Sequence, residues 1–240
     1  MLKQIKNWLQ PQKNDVTTDK ETVAVSQKVV DKISSDPAFP YLVSSPRTGS
    51  HWLRMLMELY FERPTLVRAF YQFNNDDYLL IHTHDMELTT QRQNVIYLYR
   101  EPISTVYSHI QYYNQDFNDP KIIAHWTGLY AQHLDKWLVT EKFTTHKTVL
   151  TYEAMMKDLP QAFAKVVAHF GATFNADKFA EVAKIVTKEE VKRKTPHDEQ
   201  VVKLDSPYSQ SREMFRQKHE ATVWEILLKD HPHLKQFFAE

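Results

Sequence analysis

The chain has 240 residues with 30 basic and 30 acidic side chains, so no whole-molecule field draws it to nucleic acid or an acidic membrane. It has no cysteine, which excludes disulfides, thiolate metal sites and a cysteine nucleophile together. The length suits a sizeable core, and no run reaches the roughly 18 apolar residues of a membrane span or forms a signal-peptide core, so a soluble, cytoplasmic protein is expected.

Residues 1 to 20 are polar and broken at Pro11, with Leu2, Ile5, Trp8 and Leu9 spaced as one stripe of a short helix, which reads as packing onto the domain or as docking to a membrane or a partner. Val23 to Ile33 reads as a helix that Asp36-Pro37 ends. The expected division is an N-terminal helical extension over 1–36 and a single α/β domain over 37–240. The run Tyr41-Leu-Val-Ser-Ser-Pro-Arg-Thr-Gly-Ser-His-Trp52 then reads as buried strand, turn and the start of an amphipathic helix to Glu62. Pro46 has no N–H for the strand ladder, Gly49 can take a positive φ or let a ligand approach the backbone, and Ser50 stands at the N-cap. A turn feeding a helix N-terminus gathers free N–H groups and the positive end of the helix dipole, and Arg47, Thr48, Ser50 and His51 add donors. One of only three glycines stands here, which favours a phosphate or sulfate cradle over an ordinary junction. The nucleoside triphosphatase pattern G-x-x-x-x-G-K-[ST] has no match in the chain.

After Arg63-Pro64 comes an aromatic loop with Phe70, Tyr71 and Phe73, which reads either as a wall of an acceptor cleft or as core. In the next strand, Tyr78 to His84, His82 and His84 share a face at the C-terminal end, where open α/β sheets bind ligands. With Asp85 they supply metal-ligand types, but three adjacent residues without a partner make a poor site, and no metal is expected. The third strand, Asn94 to Tyr99, ends at Arg100-Glu-Pro102, and a helix follows from Ile103 to Tyr113. Arg100 and Ser108, two turns on, can converge on one anion; the alternative for Arg100 is an ion pair with a carboxylate such as Glu101. Lys121 to Thr140 reads as one long helix and Thr148 to Tyr152 as a fourth strand. Met155 to Phe170 is a helix closed by Gly171, Phe174 to Val186 another, and Thr187 to Lys194 a solvated charged stretch. Residues 195 to 211 read as a lid or binding loop, before a final helix from Arg212 to Leu228.

Strand, anion turn and helix, then strand-histidine, strand-arginine with a serine eight residues on, and strand-Tyr-Glu: in that order the chain resembles the sulfotransferases that use 3′-phosphoadenosine 5′-phosphosulfate (PAPS). Pro46-Arg-Thr-Gly-Ser-His-Trp52 is similar to the family's 5′-phosphosulfate loop P-K-S-G-T-T-W at the same spacing. The resemblance implies that Arg47, Thr48, Gly49, Ser50 and His51 hold the 5′-phosphate and that Trp52 stacks on the adenine. It implies further that Arg100 and Ser108 hold the 3′-phosphate, that Tyr152 of Tyr152-Glu153 borders the adenine, and that His84 of His82-Thr83-His84 is the catalytic base. Arg47 replaces the usual Lys, as in carbohydrate and bacterial members, and His82 stands where many members have a Lys near the sulfuryl group. The late R-K-G-x-x-G element is missing after Ser206-Pro-Tyr208, which leaves Arg212 or Arg216 to substitute.

The fold implied is three-layer α/β/α with a mostly parallel central sheet in the P-loop-like, sulfotransferase topology. The activity implied is transfer of the sulfuryl group from PAPS to an acceptor hydroxyl on a glycan or a small alcohol or phenol, leaving the coproduct 3′-phosphoadenosine 5′-phosphate (PAP). Two rivals use the same anion turn. A P-loop small-molecule kinase predicts a Lys-[ST] loop ending and a magnesium-holding carboxylate; a noncatalytic binder of nucleotides or sulfated glycans needs no base at His84.

Overall fold

The computed structural model describes residues 27–66, 68–73, 76–196 and 206–238. The apolar stripe from Leu2 to Leu9, the first residues of the helix expected from Val23, and much of the loop expected over 195 to 211 lie outside them.

Four apolar runs form one sheet in the order β2-β1-β3-β4: β1 Tyr41–Ser44, β2 Ile81–Thr83, β3 Asn94–Tyr99 and β4 His146–Thr151. Every pairing is parallel, with Val43 opposite Thr83 and Tyr97, and Tyr99 opposite Thr151. The helices in chain order are α1 Gln27–Ser34, α2 Ser50–Phe61, α3 Pro102–Tyr112, α4 Pro120–Asp135, α5 Tyr152–Lys157, α6 Leu159–His169, α7 Ala176–Ile185, α8 Lys188–Lys194 and α9 Ser206–Asp230. All of β1, and β3 beyond its first residue, are buried, as strands covered on both faces must be.

Side chains alternate across the sheet and so make two cores. Leu42, Ile96, Leu98 and Leu150 pack with Leu53, Leu56 and Met57 of α2, Phe163 of α6 and Phe179 of α7. Tyr41, Val43, Val95, Tyr97 and Tyr99 pack with Tyr130 and Leu134 of α4, Trp137 and Leu227 of α9. This is the expected three-layer α/β/α architecture. No helix among the described residues is long and apolar enough to cross a membrane.

Several boundaries differ from expectation for local reasons. Only Ile81 to Thr83 of the run from Tyr78 is strand, because Leu79 N–H donates to Pro64 O (2.8 Å) and Leu80 O accepts from Leu66 N–H (2.9 Å) instead of joining the main ladder. The helix expected to run to Thr140 becomes a π-helical turn over Lys136–Thr140. There Lys136 and Trp137 both reach back to the buried Asp85 carboxylate, at 2.7 and 3.0 Å. The helix expected from Met155 to Phe170 is two, since Asp158 caps a new start by accepting from Gln161 N–H at 3.0 Å. Pro160, which has no N–H, fits that new first turn. Gly171 closes it at φ 67°, as expected. The charged stretch is the helix α8, with Val191 buried, and the last helix begins six residues earlier than expected, at Ser206.

Candidate active site

In a parallel sheet all C-terminal strand ends lie along one edge. Across it, in spatial order, follow His84 after β2, the turn 45–49 after β1, Arg100 after β3 and Tyr152 after β4. The turn holds two left-handed residues, Arg47 at φ 70° and Gly49 at φ 95°. For a non-glycine residue that conformation costs on the order of 1 kcal/mol or more and concentrates at ligand sites. Gly49, not Ser50, is the N-cap of α2, and Ser50 is its first helical residue. A Cβ at Gly49 would lie 2.8 Å from Cδ2 of Tyr152, so the tyrosine ring packs directly on the turn. That ring also meets Trp52 edge-on at 6.1 Å and carries the Arg100 guanidinium at 4.4 Å. Arg100 Nη1 reaches Arg47 O at 3.5 Å, and its Nε is buried without a hydrogen-bond partner. Arg47 itself lies over the Tyr112 ring at 5.2 Å.

No side chain caps α2, whereas Glu101, Asp119, Thr151, Asp158, Asn175 and Thr187 each cap one of the six helices from α3 to α8. The first N–H bonded within α2 is that of Leu53, to Gly49 O at 3.2 Å, so the N–H groups of Ser50, His51 and Trp52 precede the first closed turn. Free donors, the helix dipole and Arg47 make a strongly anion-attracting spot. One expected side-chain donor is otherwise used and another packs against a neighbouring ring. Thr48 donates its hydroxyl to Ser45 O at 2.7 Å, and the His51 ring packs edge-on against Phe70 at 5.4 Å. The positive character of this turn therefore comes chiefly from backbone N–H groups and Arg47.

Ser44, the last residue of β1, holds both strand-end histidines. Its hydroxyl bonds His82 Nε2 at 3.0 Å, and its carbonyl bonds His84 Nδ1 at 2.8 Å. A carbonyl only accepts, so His84 carries its proton on Nδ1 and leaves Nε2 bare, the arrangement a general base needs. The same logic fixes His133: its Nε2 donates to His84 O at 3.0 Å, and its Nδ1 accepts from Tyr97 OH at 3.0 Å. A buried relay thus positions the His84 backbone from below the sheet.

Burial lowers every histidine here. His84 falls to about 4, its bond to Ser44 opposing the shift, and His133 to about 4 with Asp85 opposing. His51 and His109 fall to about 3, with Arg54 adding to burial at the first and Arg47 at the second. His82 lies well below 6.5 through burial and then the His84 charge, so it does not supply the cation that a Lys there would. Between about pH 6.5 and 4 the unfolded chain binds protons that these folded histidines refuse. Stability is therefore full above pH 6.5 and falls as pH drops toward 4, each such group contributing a slope of at most about 1.4 kcal/mol per pH unit. Urea midpoints between pH 7 and 5 should decline steeply; a flat profile would show that the histidines titrate alike in both states.

Arg100 does not pair with Glu101, which caps α3 through Ile103 and Ser104 N–H groups (both 2.9 Å) and binds Arg216 at 2.5 Å. Arg216 also meets Glu220 at 3.4 Å, so of the two late arginines it is engaged by carboxylates. Ser108 is buried and shares a 3.0 Å hydrogen bond with Tyr208 OH, which brings the first turn of α9 onto α3. Phe70 is core, and Tyr71 bonds Glu190 at 3.3 Å, so neither is simply an open cleft wall. Sequence reasoning passed over Ser44 and the buried pair Arg54 and Glu58, and saw His133 only as part of the core-facing stripe of its helix; only the four-residue spacing of Arg54 and Glu58 along α2 hinted at a link.

A parallel sheet whose carboxyl edge carries an uncapped helix N-terminus and several strand-end basic groups has the arrangement with which α/β proteins take an anionic ligand at that edge. The sulfotransferase domain family matches residues 72–239, and the chain belongs to it. The match takes in His82, His84, Arg100, Ser108, Tyr152 and Arg212 and begins after the turn at Arg47. Retinol dehydratase in complex with androsterone and inactive cofactor PAP superposes with a TM-score of 0.53 at 14% identity, covering 83% of each chain. Retinol dehydratase in a complex with retinol and PAP gives 0.51 at 15% identity, again over 83% of each. Mouse sulfotransferase SULT7A1 complexed with PAP gives 0.47 at 16% identity, over 87% of this chain and 94% of that one. The retinol dehydratase superpositions agree with the P-loop-like α/β topology. Comparison with curated proteins gives no match.

Proposed function

We propose that this chain transfers the sulfuryl group of PAPS to an acceptor hydroxyl, leaving PAP as coproduct. The observation that carries the reading is the placement of His84, the uncapped turn, Arg100 and Tyr152 side by side at the ends of four parallel strands. The residues fit such a donor. The orphaned Nε of Arg100 and the close seat of Tyr152 on Gly49 suit a phosphate beside a flat base. In this reading the α2 N-terminus and Arg47 hold the 5′-phosphosulfate, Trp52 and Tyr152 border the adenine, and Arg100 takes the 3′-phosphate with Ser108 and Arg212.

Sulfuryl transfer resembles phosphoryl transfer, with acceptor and leaving oxygens in line on sulfur and a loose transition state that the protein positions and neutralises. As the S–O bond to the leaving group breaks, negative charge grows on the 5′-phosphate. Arg47, always protonated and able to hold two oxygens at once, meets that charge without a proton transfer. His84 Nε2 takes the proton of the acceptor hydroxyl as its oxygen bonds to sulfur. A neutral His82 orients the edge through Ser44 instead of supplying charge. The acceptor class favoured by Arg47 is a carbohydrate hydroxyl.

Calorimetric titration with PAP, beside ATP with magnesium, tests the donor site. Micromolar PAP binding that an Arg100→Ala variant weakens roughly 10- to 100-fold, the worth of a charged hydrogen bond, is expected. No PAP binding with clear magnesium-dependent ATP binding would transfer the reading to a kinase.

A further inference from the structure

The geometry points to a second site: Asp135, His231 and His233 form a binding site for one divalent transition-metal ion of the zinc type. None of the three takes part in the donor or acceptor chemistry above. Asp135 is the last residue of α4, and His231 and His233 flank Pro232 just after α9, where a 3₁₀ helix runs over Pro232–Phe237. Proline fixes its own φ, so the two imidazoles are presented from a stiff segment.

His233 Nε2 lies 2.6 Å and His231 Nδ1 3.3 Å from Asp135 Oδ1, and one ligand atom from each residue falls within 4.8 Å of the others. Metal–ligand bonds of about 2.0–2.1 Å at tetrahedral angles put ligand atoms roughly 3.3 Å apart. The His231 separation already meets that figure. The His233 contact is a hydrogen bond that opens by less than about 1 Å when a cation replaces the shared proton. Two imidazoles and one carboxylate suit Zn²⁺, Co²⁺ or Ni²⁺ and not Mg²⁺ or Ca²⁺, which ask for oxygen alone. The side chains are 17%, 22% and 39% exposed, which leaves an entry path and room for water as a further ligand. The neighbouring cation does not compete, since Lys136 Nζ is bound to Asp85 Oδ2 at 2.7 Å and to Thr90 O at 2.7 Å.

An ion here ties the C-terminal segment to α4. That segment already backs the sheet, with Tyr99 OH donating to Phe237 O at 3.0 Å and Phe238 set edge-on to Tyr99 and Trp224. The site is therefore structural, bracing β3 from behind.

The test is calorimetric titration of the untagged full-length chain, stripped with EDTA, using ZnCl₂, with thermal unfolding in parallel. One equivalent binding at micromolar Kd or tighter is expected, with Tm raised by roughly 5–10 °C at a hundredfold excess of free ion over Kd. His233→Gln keeps a hydrogen-bonding group beside Asp135 and loses a metal ligand. It should weaken binding at least about 100-fold, more than an outer-shell change does, while its Tm in EDTA stays at the wild-type value. Absence of saturable Zn²⁺ binding, or wild-type binding by His233→Gln, would overturn the proposal. If His231→Ala does not fold, the His233→Gln comparison decides alone.

Discussion

A His84→Ala enzyme is expected to lose roughly 100- to 10,000-fold in turnover while binding PAP as the wild type does. The effect is large because the acceptor hydroxyl is a poor nucleophile at neutral pH and His84 Nε2 is left bare by the bond from Nδ1 to Ser44 O. The pH profile separates this role from a structural one. With its folded pKa lowered to about 4, His84 is neutral in the free enzyme throughout the range above that value. The acid limb of kcat/KM should therefore lie near pH 4 and not near the 6.5 of an unperturbed histidine. A bound anionic donor raises the pKa, so the limb of kcat should lie above that of kcat/KM. Initial rates with the donor varied from well below to well above its KM, taken where circular dichroism shows a folded chain, are the measurement. Near-full turnover in His84→Ala would remove His84 from the chemistry.

The largest effect on stability is expected at Glu58, which is fully buried within α2. Its carboxylate accepts from Thr65 N–H at 3.2 Å, Phe70 N–H at 2.7 Å and Tyr71 N–H at 3.0 Å, and from the Thr65 hydroxyl. Arg54, one turn earlier, donates to Thr65 Oγ1 at 2.7 Å and to the Arg68 carbonyl. Burial disfavours charge on both partners, raising Glu58 and lowering Arg54 to about 10, so Arg54 still carries its proton at neutral pH. Glu58→Ala would strand that cation and three backbone donors. Breaking a buried pair in this way costs about 3–5 kcal/mol, a large share of the roughly 5–15 kcal/mol that holds a domain together. Urea denaturation should show the midpoint displaced accordingly. A loss under about 1 kcal/mol would mean that the loop from Thr65 to Tyr71 rests on its aromatic packing and not on this carboxylate.

The landmarks at the sheet edge were legible because each answers a local demand that sequence can display. Gly49 stands where φ is 95° and a ring presses on the backbone, Pro46 where a ladder must stop, and β1 and β3 are apolar because both faces are covered. What stayed hidden depends on tertiary partners. Arg54 and Glu58 look like the solvent face of an amphipathic helix until the loop folds over them. Tyr78 to Leu80 have the composition of a strand, but Pro64 and Leu66 take their backbone groups. Ser44 looks like any strand residue, and only the parallel neighbour β2 reveals that it holds two histidines. Asp158 could be recognised as a cap only by weighing it, with Pro160, against the longer apolar period that runs through Met155 to Phe170.

The parallel register has a kinetic consequence. The residues along the edge, from Ser44 to Tyr152, are supplied by parallel strands separated in sequence by long crossovers, and no hairpin brings two of them together. Loop closure must be completed three times before the edge exists, which slows folding relative to a locally wired protein of this size. A partly folded chain can hold native helices and still lack the edge entirely. Ligand capture at that edge is therefore a late, all-or-none report of refolding: in a stopped-flow experiment it should appear with the final phase and never with the gain of helix.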